Sequence, residues 1–305
     1  MYRSNFLEEF KNVWKKPDNG LIQIIVINVI VFILLNLFRV IFTLAANTDI
    51  YVWMVENLAL PSSFSSFIVK PWTLLTYFFT HEGFFHILFN MLFLYWFGKI
   101  VHDLLGNNKL VNLYVLGGII GGIFYMLVYN LIPFYHDRVN QSILIGASAG
   151  VFAVVVGSAT YFPNYTMFLL FLGPIRIKYI AIFYVLLSFF RIDGTNAGGD
   201  LAHLGGAAIG FIYVLQLKNG NDIGQPITNF IIWIKRLFSP HPRIRVSYKN
   251  KKSQTGGASG TKKAGPVKDK VSQDEIDSIL DKISQGGYES LTKEEKQKLF
   301  DASRK

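Results

Sequence analysis

Three short segments place polar side chains where a membrane makes them costly. They are His81-x4-His86-x3-Asn90, Gly146-Ala147-Ser148-Ala149-Gly150 and Ala202-His203-Leu204-Gly205-Gly206. Each lies in or at the edge of a long apolar run, where ionisable and amide groups ask for a reason. A serine hydroxyl becomes a nucleophile when a neighbouring imidazole takes its proton. Asparagine and histidine can donate hydrogen bonds to an oxyanion. A serine that opens a helix also has free backbone N–H groups and the positive end of the dipole nearby. Nucleophile activation with oxyanion support is the chemistry these residues could share.

Each segment also has a plainer reading. His86 and Asn90, four apart, share a helix face, and Asn90 taken alone reads as helix–helix glue. His81 lies near the mouth of its span and reads as structural. Gly146 to Gly150, taken alone, favours close packing, for which small residues are ordinary in membranes. A lone histidine such as His203 is more often structural. Gly206-x-x-x-Gly210, however, forms a small-residue face that lets another helix approach. If the fourth and sixth apolar spans touch along such faces, Ser148 and His203 come within reach of one another.

The elements that must position these residues are apolar helices. The chain has 305 residues, 51% hydrophobic and 16% charged, against about a quarter charged in soluble domains. Its mean hydropathy is +0.34. A bilayer core about 30 Å thick takes roughly 20 apolar residues per helix, and several runs here reach that length. The spans are expected at about 21–46, 84–105, 110–132, 143–162, 178–190 and 199–217. Gly117, Gly118, Gly121 and Gly122 in the third predict close packing. Residues 47–80 are apolar but broken, and 164–178 read as a connection along the interface. The fold class is therefore all-α, a polytopic membrane bundle of six helices.

The net charge is +10, concentrated before the first span and after the last. That pattern obeys the positive-inside rule, places both termini in the cytoplasm and argues against a nucleic-acid partner. The absence of cysteine excludes disulfides and thiolate chemistry. Residues 1–20 form a polar leader, and the apolar run after it is too long for a cleavable signal. The core occupies 21–218. Within 219–270, residues 227–238 predict a helix on the membrane surface, and 240–270 a basic flexible linker drawn to anionic lipid. Residues 271–305 predict two short helices opened by the capping boxes Ser272/Glu275 and Thr292/Glu295.

Over roughly residues 60–215 the sequence resembles the rhomboid family of intramembrane proteases. His81-x4-His86-x3-Asn90 resembles the family's second-span motif, Gly146-x-Ser148-Ala149 its nucleophile motif, and Ala202-His203-x-Gly205-Gly206 its histidine motif. The resemblance implies Ser148 as nucleophile and His203 as its base. It implies an oxyanion hole from the Ser148 N–H, His86 and Asn90, and neither cofactor nor metal. It implies single-pass transmembrane protein substrates, cut near their outer end, in a cell membrane such as the bacterial inner membrane. Phe152 stands where the family often has a tyrosine that stacks on the histidine. Trp72-Thr73 stands where it usually has Trp-Arg, and His102 and Asp103 stand near its usual glutamate. The C-terminal pair is similar to a module appended to some bacterial rhomboids and could bind a protein partner.

Asp200, three residues before His203, could orient the imidazole as a triad acid; its place near the aqueous end reads first as an interfacial cap. The rivals are an inactive rhomboid adaptor, a transporter using intramembrane His and Asn, and an α/β-hydrolase through Gly-x-Ser-x-Gly. The last requires alternating strands, which these long apolar runs do not provide.

Overall fold

The computed structural model describes residues 18–169, 173–238 and 273–303. Nearly all of the leader, the basic linker and Ser272 lie outside the described residues. The chain divides into two compact units, Met1–Pro242 and Arg243–Lys305, so the surface-helix segment falls in the first.

The first unit is a bundle of apolar helices. They are α1 (Gly20–Leu44), α5 (Phe84–Leu105), α6 (Asn107–Leu131), α7 (Ser148–Tyr161), α8 (Ile177–Phe189) and α9 (Ala197–Lys218). Of these, α1, α5, α6 and α9 are long and apolar enough to cross a membrane, and α7 and α8 are shorter apolar helices. The outward faces of α1 and α8 carry exposed Ile33, Leu37, Leu44, Ile182, Phe183 and Leu186. Such faces suit hydrocarbon and not water. The protein is a polytopic helical membrane protein.

The centre of the bundle is the triangle of α6, α7 and α9. Glycine makes it possible. A Cβ on Gly206 would strike the Ala149 carbonyl oxygen, and one on Gly210 the Ala153 carbonyl oxygen. A Cβ on Gly121 would come 2.6 Å from the Ala202 carbonyl oxygen. The three backbones therefore touch almost directly, and α7 is buried around most of its circumference.

Residues 47–80 form broken structure: α2 (Thr48–Leu58), α3 (Phe64–Val69), α4 (Thr73–Thr76) and a 3-10 turn at Tyr77–Phe79. Thr73, in place of the expected arginine, is buried and its hydroxyl donates to the Lys70 carbonyl at 2.6 Å. Trp72 donates its indole N–H to the Asn57 carbonyl at 2.9 Å. His102 lies 2.7 Å from the Asp18 carbonyl through Nε2, and its Nδ1 is 3.1 Å from Asp103.

Three connections differ from expectation. The fourth span begins at Ser148, not 143, because β2 (Ile143–Leu144) pairs antiparallel with β1 (Leu60–Pro61). Residues 164–178 include a hairpin, β3 (Thr166–Leu169) with β4 (Gly173–Arg176). The third span, expected from about 110, begins at Asn107, because Gly106 alone, at φ +89°, breaks the chain direction.

After α9 the chain turns at Gly220 into α10 (Gln225–Phe238). Asp222 holds this turn. It accepts from Lys109, from the Tyr213 hydroxyl at 3.0 Å and from the Gly224 N–H at 3.0 Å. Burial works to raise its pKa, but the bonds from Lys109 and Tyr213 outweigh it and hold the carboxyl below its usual range. The face of α10 exposes Phe230 and Trp233, with Lys235 and Arg236 in its last turn.

The second unit contains α11 (Gln273–Gly286) and α12 (Lys293–Ser303). Gly287, at φ +71°, follows α11. The Thr292 N–H donates to Glu295 at 2.7 Å and the Glu295 N–H to the Thr292 hydroxyl at 3.3 Å, a reciprocal capping box. Lys282 on α11 reaches Glu295 at 2.9 Å.

Candidate active site

Helices α5, α7 and α9 begin on the same side, because each is separated from the next by one returning helix. Asn90 and His203 are each six residues into their helices, ~9 Å along the axis at 1.5 Å per residue. The 14 residues of α7 span ~21 Å, ~9 Å short of a hydrocarbon core about 30 Å thick. With the far end of α7 at the opposite boundary, Ser148 at its start lies at a similar depth to Asn90 and His203.

These residues meet in one cavity of about 520 Å³, whose wall includes His86, Asn90, Ser148, Phe152 and His203. Asn196 and Gly199, just before and at the start of α9, also line it. Phe85, Phe89 and Phe93 supply apolar wall from α5.

The loop before α7 is built around Gly146. Its φ of +116° suits glycine alone. A Cβ there would come 2.6 Å from the His86 ring, and its N–H donates to the Tyr77 carbonyl at 2.9 Å. The next N–H, on Ala147, donates to His81 Nε2 at 3.2 Å. His81 is thus fully buried beneath the loop, and it holds the segment that presents Ser148 instead of lying at a mouth. No side chain caps the start of α7, which leaves its first-turn N–H groups uncovered by a capping oxygen.

Asn90 donates one N–H to the His86 carbonyl at 2.9 Å and lies 3.3 Å from His81 Nε2. The Ala147 and Asn90 N–H groups thus compete for the single lone pair of His81 Nε2, and the Asn90 side chain also borders the cavity. The His86 side chain lines the cavity with its ring 5.0 Å from that of His81.

His203 is held from two sides. The Phe152 ring stacks on it at 4.2 Å and 7° between planes, and Tyr184 meets Phe152 edge-on at 6.1 Å. Its Nδ1 lies 3.0 Å from the Ser188 hydroxyl on α8 and 3.7 Å from Asp200 Oδ1. Asp200 is buried in the first turn of α9 and is not the cap residue, which is Asn196. Its Oδ2 has no hydrogen-bond partner among the described residues, with Arg191 Nε at 3.7 Å. The expected cap is thus replaced by a carboxylate turned toward His203, too far for a hydrogen bond.

Residues 69–219 match the family model of the rhomboid domain. The chain belongs to the rhomboid family. The rhomboid domain covers α4 through α9 and so contains the whole cavity. Residues 268–305 match a family of unknown function, DUF6576. The chain is 29% identical over 157 residues to RHOMBOID-like protein 12, mitochondrial, of Arabidopsis thaliana, covering 48% of this chain and 47% of that one. It is 26% identical over 182 residues to Rhomboid-like protein 16, chloroplastic, from the same plant, covering 55% and 56%. The chain thus spans about half the length of the curated relatives it matches.

Within the rhomboid domain, two cavity neighbours carried no signal in sequence. Ser188 is a single serine in an apolar helix, and Tyr184 is one aromatic among many. Phe152 is the stacking partner that the family resemblance implies. Truncation to Phe152→Ala removes a stack of about 0.5–1.5 kcal/mol beyond simple burial. Under the protease reading proposed below, this corresponds to roughly a 2- to 10-fold fall in kcat, with Phe152→Tyr close to the parent. Steady-state kinetics in lipid vesicles would check this.

Proposed function

We propose that this rhomboid-family protein is an intramembrane serine endopeptidase acting through a Ser148–His203 dyad. The observation that carries the reading is the shared cavity at matched depth: Ser148 opens a short helix, and His203 faces the same space with its ring clamped by Phe152. Ser148 attacks the scissile carbonyl. His203 Nε2 takes the serine proton and later delivers it to the leaving amine. The Ser148 N–H, the Asn90 N–H now shared with Ala147 on His81 Nε2, and His86 receive the negative charge on the carbonyl oxygen. Gly146 and His81 keep the serine loop in place. Asp200 supplies negative charge near the imidazole as it becomes charged.

The substrate class follows from depth. A cavity ~9 Å below the outer boundary meets the outer end of a membrane segment. A helix entering it must unwind first, which helix-breaking residues make easier. Single-pass proteins with small or helix-breaking residues near the outer face are the expected substrates. Membrane lipids and a protein partner of the C-terminal module belong to the same proposal. The Lys and Arg residues beyond the first and last spans support a cytoplasmic position for both ends of the bundle, in a membrane such as the bacterial inner membrane.

The test is cleavage of a single-pass substrate in vesicles, with the cut located by mass spectrometry. A cut within a few residues of the outer end, dependent on Ser148, supports the reading. A cut in the cytoplasmic half contradicts it.

A further inference from the structure

We propose that Ser188 is a positioning residue for His203, setting its tautomer from a neighbouring helix; this rests on the Ser148–His203 reading above. A base that accepts the serine proton on Nε2 must carry its own hydrogen on Nδ1. Which nitrogen carries it is decided by what the other ring nitrogen meets.

Nδ1 of His203 meets two oxygens. Ser188 Oγ lies 3.0 Å away and Asp200 Oδ1 3.7 Å away. A hydroxyl could donate or accept, but an ionised carboxylate only accepts. With a carboxylate on the same side, Nδ1–H donating to Ser188 is the arrangement that turns a positive N–H, not a bare lone pair, toward the negative oxygens. Nε2 is then left bare. When it takes the Ser148 proton, the same hydroxyl and the nearby carboxylate stabilise the imidazolium.

The source of the contact matters. Ser188 belongs to α8, which buries few residues against the bundle: Ile177, Ala181 and Ser188. Ser188 is 3% exposed. The orienting oxygen therefore comes from the sparsely packed helix, not from the helix that carries the histidine. The Phe152 stack fixes the plane of the ring, and Ser188 fixes its rotation and proton.

The experiment compares the parent with Ser188→Thr, which keeps the hydroxyl, and Ser188→Val, which has the same shape without it. Packing defects strike both variants, whereas loss of the hydroxyl strikes only valine. We expect Ser188→Val to lower kcat by roughly 10- to 100-fold, the range for one hydrogen bond to a charged group, with KM within about twofold. Ser188→Thr should stay within about threefold of the parent. Nitrogen-15 NMR of labelled histidine, with the His203 signal identified by its loss in His203→Gln, should show Nδ1–H in the parent and threonine forms and a mixture in the valine form. Equal kcat and equal tautomer populations for threonine and valine would overturn the proposal. The NMR arm decides the role of Ser188 even if the parent cleaves nothing, an outcome that would sink the protease reading instead.

Discussion

Ser148→Ala and His203→Ala are each expected to reduce cleavage of a membrane substrate by at least about 10⁴-fold, with the double variant no slower than the slower single one. The non-additivity is the informative part. A nucleophile and its base act as one unit, so removing either forfeits nearly the whole of their joint effect, and little remains for the second substitution to remove. Residual turnover would come from the oxyanion donors and from binding alone. Neither change should unfold the protein. Ser148 is partly buried at a helix start, and the backbone of α9 at His203 is fixed by Gly205 and Gly206, not by the imidazole. The check is single-turnover kinetics in vesicles alongside thermal unfolding midpoints in detergent. Effects that multiply, each modest, would mean that the two residues act separately.

Gly206→Val is expected to destroy structure and activity together. The added Cβ would land on the Ala149 carbonyl oxygen, a backbone atom that cannot swing aside. The helices would have to part at the residue next to Ser148. Overpacking of a dense core costs about 1–3 kcal/mol and sometimes more, and a backbone contact belongs at the upper end. The thermal midpoint should fall well below that of the parent. Gly83→Ala makes a suitable comparison, because its Cβ would sit 3.6 Å from His86 Cβ, an ordinary contact. A Gly206→Val protein with the parent's midpoint would refute the close α7–α9 packing.

Much of this arrangement was legible before any coordinates. The second span is expected at 84–105, and α5 runs Phe84–Leu105, because turn residues flank a largely apolar run. The small-residue faces on the third and sixth spans were legible because glycine at helical spacing in a membrane has few uses besides contact. The serine loop was harder. Ile143 and Leu144 look the same to hydropathy whether helical or extended, and only pairing with Leu60 and Pro61 makes them a strand. The hairpin at 166–176 was hidden in the same way. His81 reads as a structural residue near the mouth of its span, because position along a span does not reveal what folds over it, here the Ala147 N–H. Asp200 read as a cap because acidic residues near helix starts usually are; its burial beside His203 is a tertiary fact. Ser188 had no pattern to betray it, since a lone serine in an apolar helix becomes informative only through its partner on another helix.

The most direct test of the central claim is covalent capture of the nucleophile. The protein in lipid vesicles would be treated with a fluorophosphonate, which reacts with activated serines, and the modified peptide identified by mass spectrometry. The account predicts a single phosphonylated serine, Ser148, and loss of that labelling in His203→Ala at unchanged folding. Labelling at another serine, or labelling of Ser148 at the same rate without His203, would contradict it.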